Sequence, residues 1–192
     1  MRKIIFMVSL MTCSIHLKAQ PFELGTNMIN AGIGLGSSLG SFGYTSQTPG
    51  ISASFERGMW EVGGPGVISL GGYLGYKAYK FTSTYLYNGG IYSYSNKWSY
   101  LILGARSAYH YNGLSEDKID LYGGVMLSFY SRSHKYEDNN PAYDYPYVES
   151  GNSGLNLSLY AGGRYMFSDN IGAFLELSHG ISFLSLGVTF KF

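Results

Sequence analysis

Residues 159–192 read LYAGGRYMFSDNIGAFLELSHGISFLSLGVTFKF. Apolar side chains fall on every second position: Leu159, Ala161, Tyr165 and Phe167, then Ile171, Ala173, Leu175 and Leu177, then Leu184, Leu186, Val188, Phe190 and Phe192. A helix would repeat its apolar side chains every three to four residues, whereas a strand turns alternate residues to opposite faces. The three runs are therefore strands with one greasy face each, the first two joined by the turn Ser168-Asp169-Asn170. The faces opposite carry Gly162, Arg164, Glu176 and Lys191.

The same period runs back through the chain. It appears at Ile29, Ala31, Ile33 and Leu35, at Ile51, Ala53 and Phe55, and at Ile68, Leu70, Leu74 and Tyr76. Leu101, Leu103 and Ala105 follow, then Ile119, Leu121, Val125, Leu127 and Phe129, and Leu155 and Leu157 lead into the quoted stretch. Eight strands result. After residue 19 no apolar run is long enough for a membrane-crossing helix. Gly32-Ile33-Gly34-Leu35-Gly36 superficially matches a phosphate-cradling loop, but its alternation is that of a strand.

Composition agrees with an all-β chain. Of 192 residues 17% are aromatic and 13% charged, with 27 Gly and 19 Tyr. The charge is too sparse for a broad nucleic-acid-binding surface, a coiled coil or a long disordered tail, so no nucleic-acid partner is expected. Arg2 and Lys3 precede a mostly apolar stretch from Ile4 to Ile15, and Ala19 offers a cleavage site, which reads as a signal peptide over residues 1–19 and a single domain over 20–192. Removing Arg2, Lys3 and Lys18 lowers the basic count from 13 to 10 against 12 acids, a net charge near −2. Cys13, the one cysteine, falls in the leader. A lipoprotein reading would make it the acylated residue, but Thr12 before it is larger than such sites prefer. An exported chain without disulfides must gain its stability from a core or a membrane.

Inside the strands nearly every charge lies on the non-greasy face: Glu56, Lys77, Arg106, Asp120, Arg164, Glu176 and Lys191. A soluble barrel would turn that face to water and carry many more mixed charges on it. A narrow interior filled by small residues and compensating charges fits better, because an eight-stranded barrel is just wide enough to be filled by side chains. The expectation is an eight-stranded antiparallel transmembrane β-barrel with these seven residues as a structural lumen network, Asp120 and Arg164 being the best-placed pair. Outward aromatics, among them Tyr76, Phe129, Tyr165, Phe167 and Phe192, would form belts at the membrane interfaces.

Connection lengths alternate. Residues 63–66, 113–117 and 168–170 read as tight periplasmic turns, and residues 40–49, 82–96 and 133–153 as longer external loops, with a short last loop near 178–182. The loop at 133–153 carries Glu137, Asp138, Asp144 and Glu149 among Tyr136, Tyr143, Tyr145 and Tyr147. Its acids match no calcium-loop spacing, and it is read as a solvated contact loop with tyrosines at headgroup level, like Tyr85, Tyr87, Tyr92 and Tyr94 of the loop before it.

The quoted stretch, through its Gly162-Gly163-Arg164-Tyr165 strand, its Asp169-Asn170 turn and its alternating end at Phe192, resembles the small outer-membrane β-barrel domain family of Gram-negative bacteria, the OmpA/OmpX-like barrels. The resemblance implies the fold, location in the bacterial outer membrane, lipids and the barrel assembly machinery as partners, and Phe192 as the assembly signal. It implies no activity. With the chain ending on strand eight, no periplasmic domain is expected to follow. The expected role is structural or adhesive, with an unknown surface ligand held by the external loops, no cofactor, no metal and no wide pore. Two rivals stand beside it. A lipid acyl hydrolase or transferase would bring Ser178, His179 and an acid such as Glu149 together, and a lipocalin-like soluble barrel would turn its greasy face inward.

Overall fold

The β-branched and aromatic residues of each alternating run form strands because their side chains stand clear of a pleated backbone. The computed structural model describes residues 22–37, 39, 43–143, 147–179 and 181–192. The leader read over residues 1–19, Cys13 included, lies outside the described residues. The described strands are β1 (Asn27–Leu35), β2 (Ser46–Gln47), β3 (Gly50–Glu61), β4 (Gly66–Tyr87), β5 (Gly90–Tyr111), β6 (Ile119–Asp138), β7 (Tyr147–Met166), β8 (Ile171–Ser178) and β9 (Leu184–Lys191).

Eight of them close on themselves. Every neighbour is antiparallel, in the order β4, β3, β1, β9, β8, β7, β6, β5 and back to β4. The first and last barrel strands meet at Met28 opposite Lys191, and Asn27 and Phe192 exchange backbone bonds just beyond. Closure leaves no free edge around the ring, which is the arrangement that lets a sheet stand in hydrocarbon. The all-β barrel read from the alternation is thus the fold of the protein. β2 is the exception to the ring, a short strip that adds to β4 at Lys80 and Tyr79.

The start of β1, the end of β9 and the connections after β3, β5 and β7 share one end of the barrel, here the terminal end. The opposite end differs from the reading of long loops at 82–96 and 133–153. β4 and β5 run on as strands of 22 residues each, paired from Gly66 opposite Tyr111 to Tyr87 opposite Gly90. Asn88 and Gly89 make the whole connection, with φ of 50° and 79°. Two consecutive left-handed residues are what a two-residue hairpin turn matched to strand twist requires, and Asn-Gly is its commonest sequence. β6 and β7 extend likewise, with a register irregularity between Ser131 and Ser133. Tyr, Thr and Ser replace the Leu and Ile of the lower strands while the period of two continues. Hydrophobicity falls away and strand propensity does not.

Outward faces are apolar around the ring: Ile33, Leu74, Leu103, Leu127, Leu157, Leu175 and Val188 are all exposed. Trp60, Tyr109, Tyr111, Tyr165, Phe167 and Phe192 ring the terminal end of this belt.

Candidate functional site

The inward residues of β3, β5, β6, β7 and β8 converge in the terminal half of the lumen. Arg164, fully buried, lies directly across the ladder from Asp120, and its Nη1 donates to Asp120 Oδ2 at 2.6 Å. Its Nη2 bonds Glu56, and its Nε donates to Asn30 Oδ1 at 3.2 Å. Arg106 Nε stands 2.7 Å from Glu56 Oε1, and its Nη2 donates to Glu176 Oε2 at 2.7 Å. Glu56 therefore bridges the two guanidiniums, and the pairs form one network spanning the barrel's cross-section. Single buried pairs rarely repay their desolvation, but shared carboxylates and planar guanidinium forks satisfy several donors at once.

Aromatic rings fill the space between the charges. Arg106 lies over the Tyr160 ring at 3.9 Å and Arg164 over the Tyr122 ring at 4.2 Å, and Tyr122 donates to Glu176 Oε2 at 3.1 Å. A small residue opposite makes room for Tyr122. A Cβ on Gly162 would come within 2.7 Å of that ring and of Leu175 O. Phe22 stacks on His110 at 3.7 Å and packs with Met28, Val67 and Met166, which closes the lumen toward the terminal end. The section is filled, so no wide aqueous path runs through it.

Five of the seven expected lumen charges meet here: Glu56, Arg106, Asp120, Arg164 and Glu176. Lys77 and Lys191 do not. Lys77 is buried nearer the other mouth, where its Nζ donates to Gly36 O at 2.9 Å beside the Tyr79 ring. Lys191, half-buried, lines a rim cleft with Asp117, Lys118 and Asp169, because β9 ends there and its last inward position has already left the lumen. Phe192 lies on the outer face, 65% exposed, its ring 6.5 Å from that of Phe55.

The lumen network expected from the sequence does not include His110. Its Nδ1 is 2.9 Å from Asp120 Oδ1, and its Nε2 is 3.1 Å from Ser69 Oγ. Ser69, His110 and Asp120 thus have the connectivity of a hydrolytic relay. Ser69 and His110 are wholly buried, however, Phe22 covers the ring, and Asp120 is also held by Arg164. The relay bonds serve packing. The signal for His110 was available: it shares the lumen-facing parity of Arg106 along β5. The Ser178 and His179 of the enzyme rival diverge, with Ser178 Oγ donating to Ser182 O at 2.9 Å and the exposed His179 ring lying against Phe183.

Above the belt the extended β4–β7 sheet is paved on its lumen-side face. Trp98 stacks on His134 at 5.2 Å, Tyr94 on Tyr136 at 6.2 Å, and Tyr85 and Tyr147 continue the patch. Tyr85 and Tyr136 both donate to Asp138 Oδ2, at 2.9 and 3.0 Å, and the Asn140 backbone N–H donates to Oδ1 at 2.9 Å. On the other face of β6 Glu137 bonds Lys135. That bond, then the ammonium's charge, holds the Glu137 carboxyl below the usual carboxylate range. Of the four acids of the anticipated contact loop, Glu137 and Asp138 therefore point apart, each with its own partner. Asp144 and Tyr145 lie outside the described residues, as does the side chain of Glu149.

No family model matches the chain, and no curated protein matches it. A solved structure does. That of Ail, the attachment invasion locus protein of Yersinia pestis, in complex with the heparin analogue sucrose octasulfate, is similar with a TM-score of 0.54 at 12% identity, over 88% of this chain and 100% of that one. The fold is shared with Ail. A second Ail crystal structure is similar at 10% identity with a TM-score of 0.48, over the same shares of the two chains. At this identity the likeness to Ail is one of fold, and it covers Ail from end to end.

Proposed function

We propose that the protein is an integral outer-membrane barrel that presents the extended β4–β7 sheet at the cell surface as a contact platform, and that it is neither a porin nor an enzyme. One observation carries this reading. The wall is apolar outside and ionic inside over the lower strands, and the same strands then continue for several further pairs with a polar, tyrosine-rich surface. A wall of that kind is stable in lipid and leaves the upper sheet in water. Residues 1–19 serve export, Phe192 serves recognition by the assembly machinery, and the buried ion network holds the barrel shut. Support for a surface ligand comes from Ail, whose structure holds a heparin analogue.

The test combines fractionation with binding. The protein should be recovered in outer membranes and migrate differently on a gel before and after boiling, and cells displaying it should be retained on immobilised heparin. Removing residues 84–93 from the β4–β5 hairpin should abolish retention and preserve the gel shift. A protein free in the periplasm without a gel shift would overturn the membrane reading in favour of a soluble barrel.

A further inference from the structure

The outer face of the extended sheet carries a row of like charges. Lys80 is directly paired with Lys97, and Lys97 with Lys135, so three ammonium groups occupy adjacent positions on three neighbouring strands. All three share the parity of the outward Tyr76, Leu101 and Phe129 and are exposed. Directly opposed side chains sit about 5 Å apart at Cβ, and like charges in that position repel. On the fourth strand the position paired with Lys135 is Val148. Among the described residues Glu137 is the acid that stands by the row, bonded to Lys135. Three cations and one acid leave an excess of two positive charges on a chain that otherwise carries few.

The row lies in a cleft. Ser46 and Gln47 of the β2 strip, with Thr48 after them, form one wall and Ser95, Lys135 and Glu137 the other, around a volume of about 460 Å³. Its depth relative to the belt is set by register. Lys80 and Lys97 each lie four residues beyond Tyr76 and Leu101, themselves partners at the top of the apolar surface. Four residues are about 13 Å of strand, or about 10 Å along the barrel axis once strand tilt is allowed for. That is the outer edge of the headgroup layer, within reach of a lysine side chain that bends back toward it.

We propose that Lys80, Lys97 and Lys135 bind the phosphate groups of an anionic glycolipid headgroup in the outer leaflet, with the Ser46 hydroxyl beside them. Three flexible point charges suit a phosphate, which accepts from several directions. An anion held among the three offsets their mutual repulsion further than Glu137 does alone. Glu137 competes with that anion for Lys135 and so weakens the site. The inference rests on the outer-membrane reading.

The full-length barrel in a neutral detergent should bind lipid A bearing its phosphates, and bind dephosphorylated lipid A much more weakly, in a titration followed by native mass spectrometry. Each lysine replaced by Gln should weaken binding about fivefold, and Lys80→Gln, Lys97→Gln and Lys135→Gln together about a hundredfold. Glu137→Gln should tighten it. The boiled and unboiled gel mobilities of the triple variant should match those of the parent, since none of these residues lies in the lumen. Equal binding of the two lipids, or indifference to the triple substitution while the gel shift persists, would sink the headgroup site and leave the barrel reading intact. Lysine-dependent binding of sucrose octasulfate or inorganic phosphate without lipid A binding would overturn the lipid assignment. Loss of the gel shift in the parent protein would refute the membrane reading itself.

Discussion

The two halves of the wall use the same strands for opposite ends. In the terminal half, inward side chains from five strands meet at Glu56, Arg106 and Arg164, and every large group there touches another strand's group. In the upper half the strands β4 to β7 lose their partners across the axis, and rings stack with near neighbours only, as Trp98 does with His134. A closed section makes each residue answerable to the whole circumference. An open sheet tolerates change one hairpin at a time, which is the property a surface contact region needs.

The largest effect should come from breaking the closed section. Arg164→Ala leaves Asp120 and Glu56 short of a partner in the lumen, and removing one member of a buried pair costs about 3–5 kcal/mol. The midpoint of heat-induced loss of the compact gel band should fall sharply, and an unchanged midpoint would show that the network is dispensable. A smaller and local effect is expected at the upper end. Gly89→Ala places a Cβ on a residue with φ of 79°, at about 1 kcal/mol. Protease cleavage near residues 88–89 should rise while the midpoint of the barrel stays where it was. A shift of the whole barrel would mean that the two halves are one cooperative unit.

The smallest effect is electrostatic. Because the Lys135 bond lowers the Glu137 carboxyl, the link contributes fully above the ordinary carboxylate value of 4.5 and is lost as pH falls through the lower folded value. An NMR titration of the Glu137 carboxyl should show a midpoint below 4.5, moving up in Lys135→Gln. The barrel section should be indifferent to that titration. The contrast separates an exposed pair in water from ions sealed in a lumen.

Much of this was legible beforehand. Period two is local, so Leu184 to Phe192 announced both the strand and its greasy face, and the parity of Asp120 and Arg164 put them on the inner side. Their similar height followed from the nearness of Asp120 to the turn at 113–117 and of Arg164 to the turn at 168–170. Lys77 and Lys191 share that parity and still stand elsewhere, because parity gives the face and not the height along the axis. The upper hairpins were misread as loops for a related reason. Residues 82–96 set four tyrosines among Thr, Ser and Asn with only Leu86 and Ile91 between them, a pattern of weak hydrophobic contrast, and the Asn88-Gly89 turn was the clue that strand pairing continued.

Sequence alone determined the number of barrel strands, the sidedness of each and the all-β class, since alternation and turn chemistry act over a few residues. Tertiary structure decided which inward groups share a level. Closure sets the stagger between strands, and only that stagger brings His110 to Asp120 and Ser69, lays Phe22 across the ring, and lines Lys80 up with Lys97 and Lys135. Those contacts join residues far apart in the chain, and their geometry exists only once the sheet has closed.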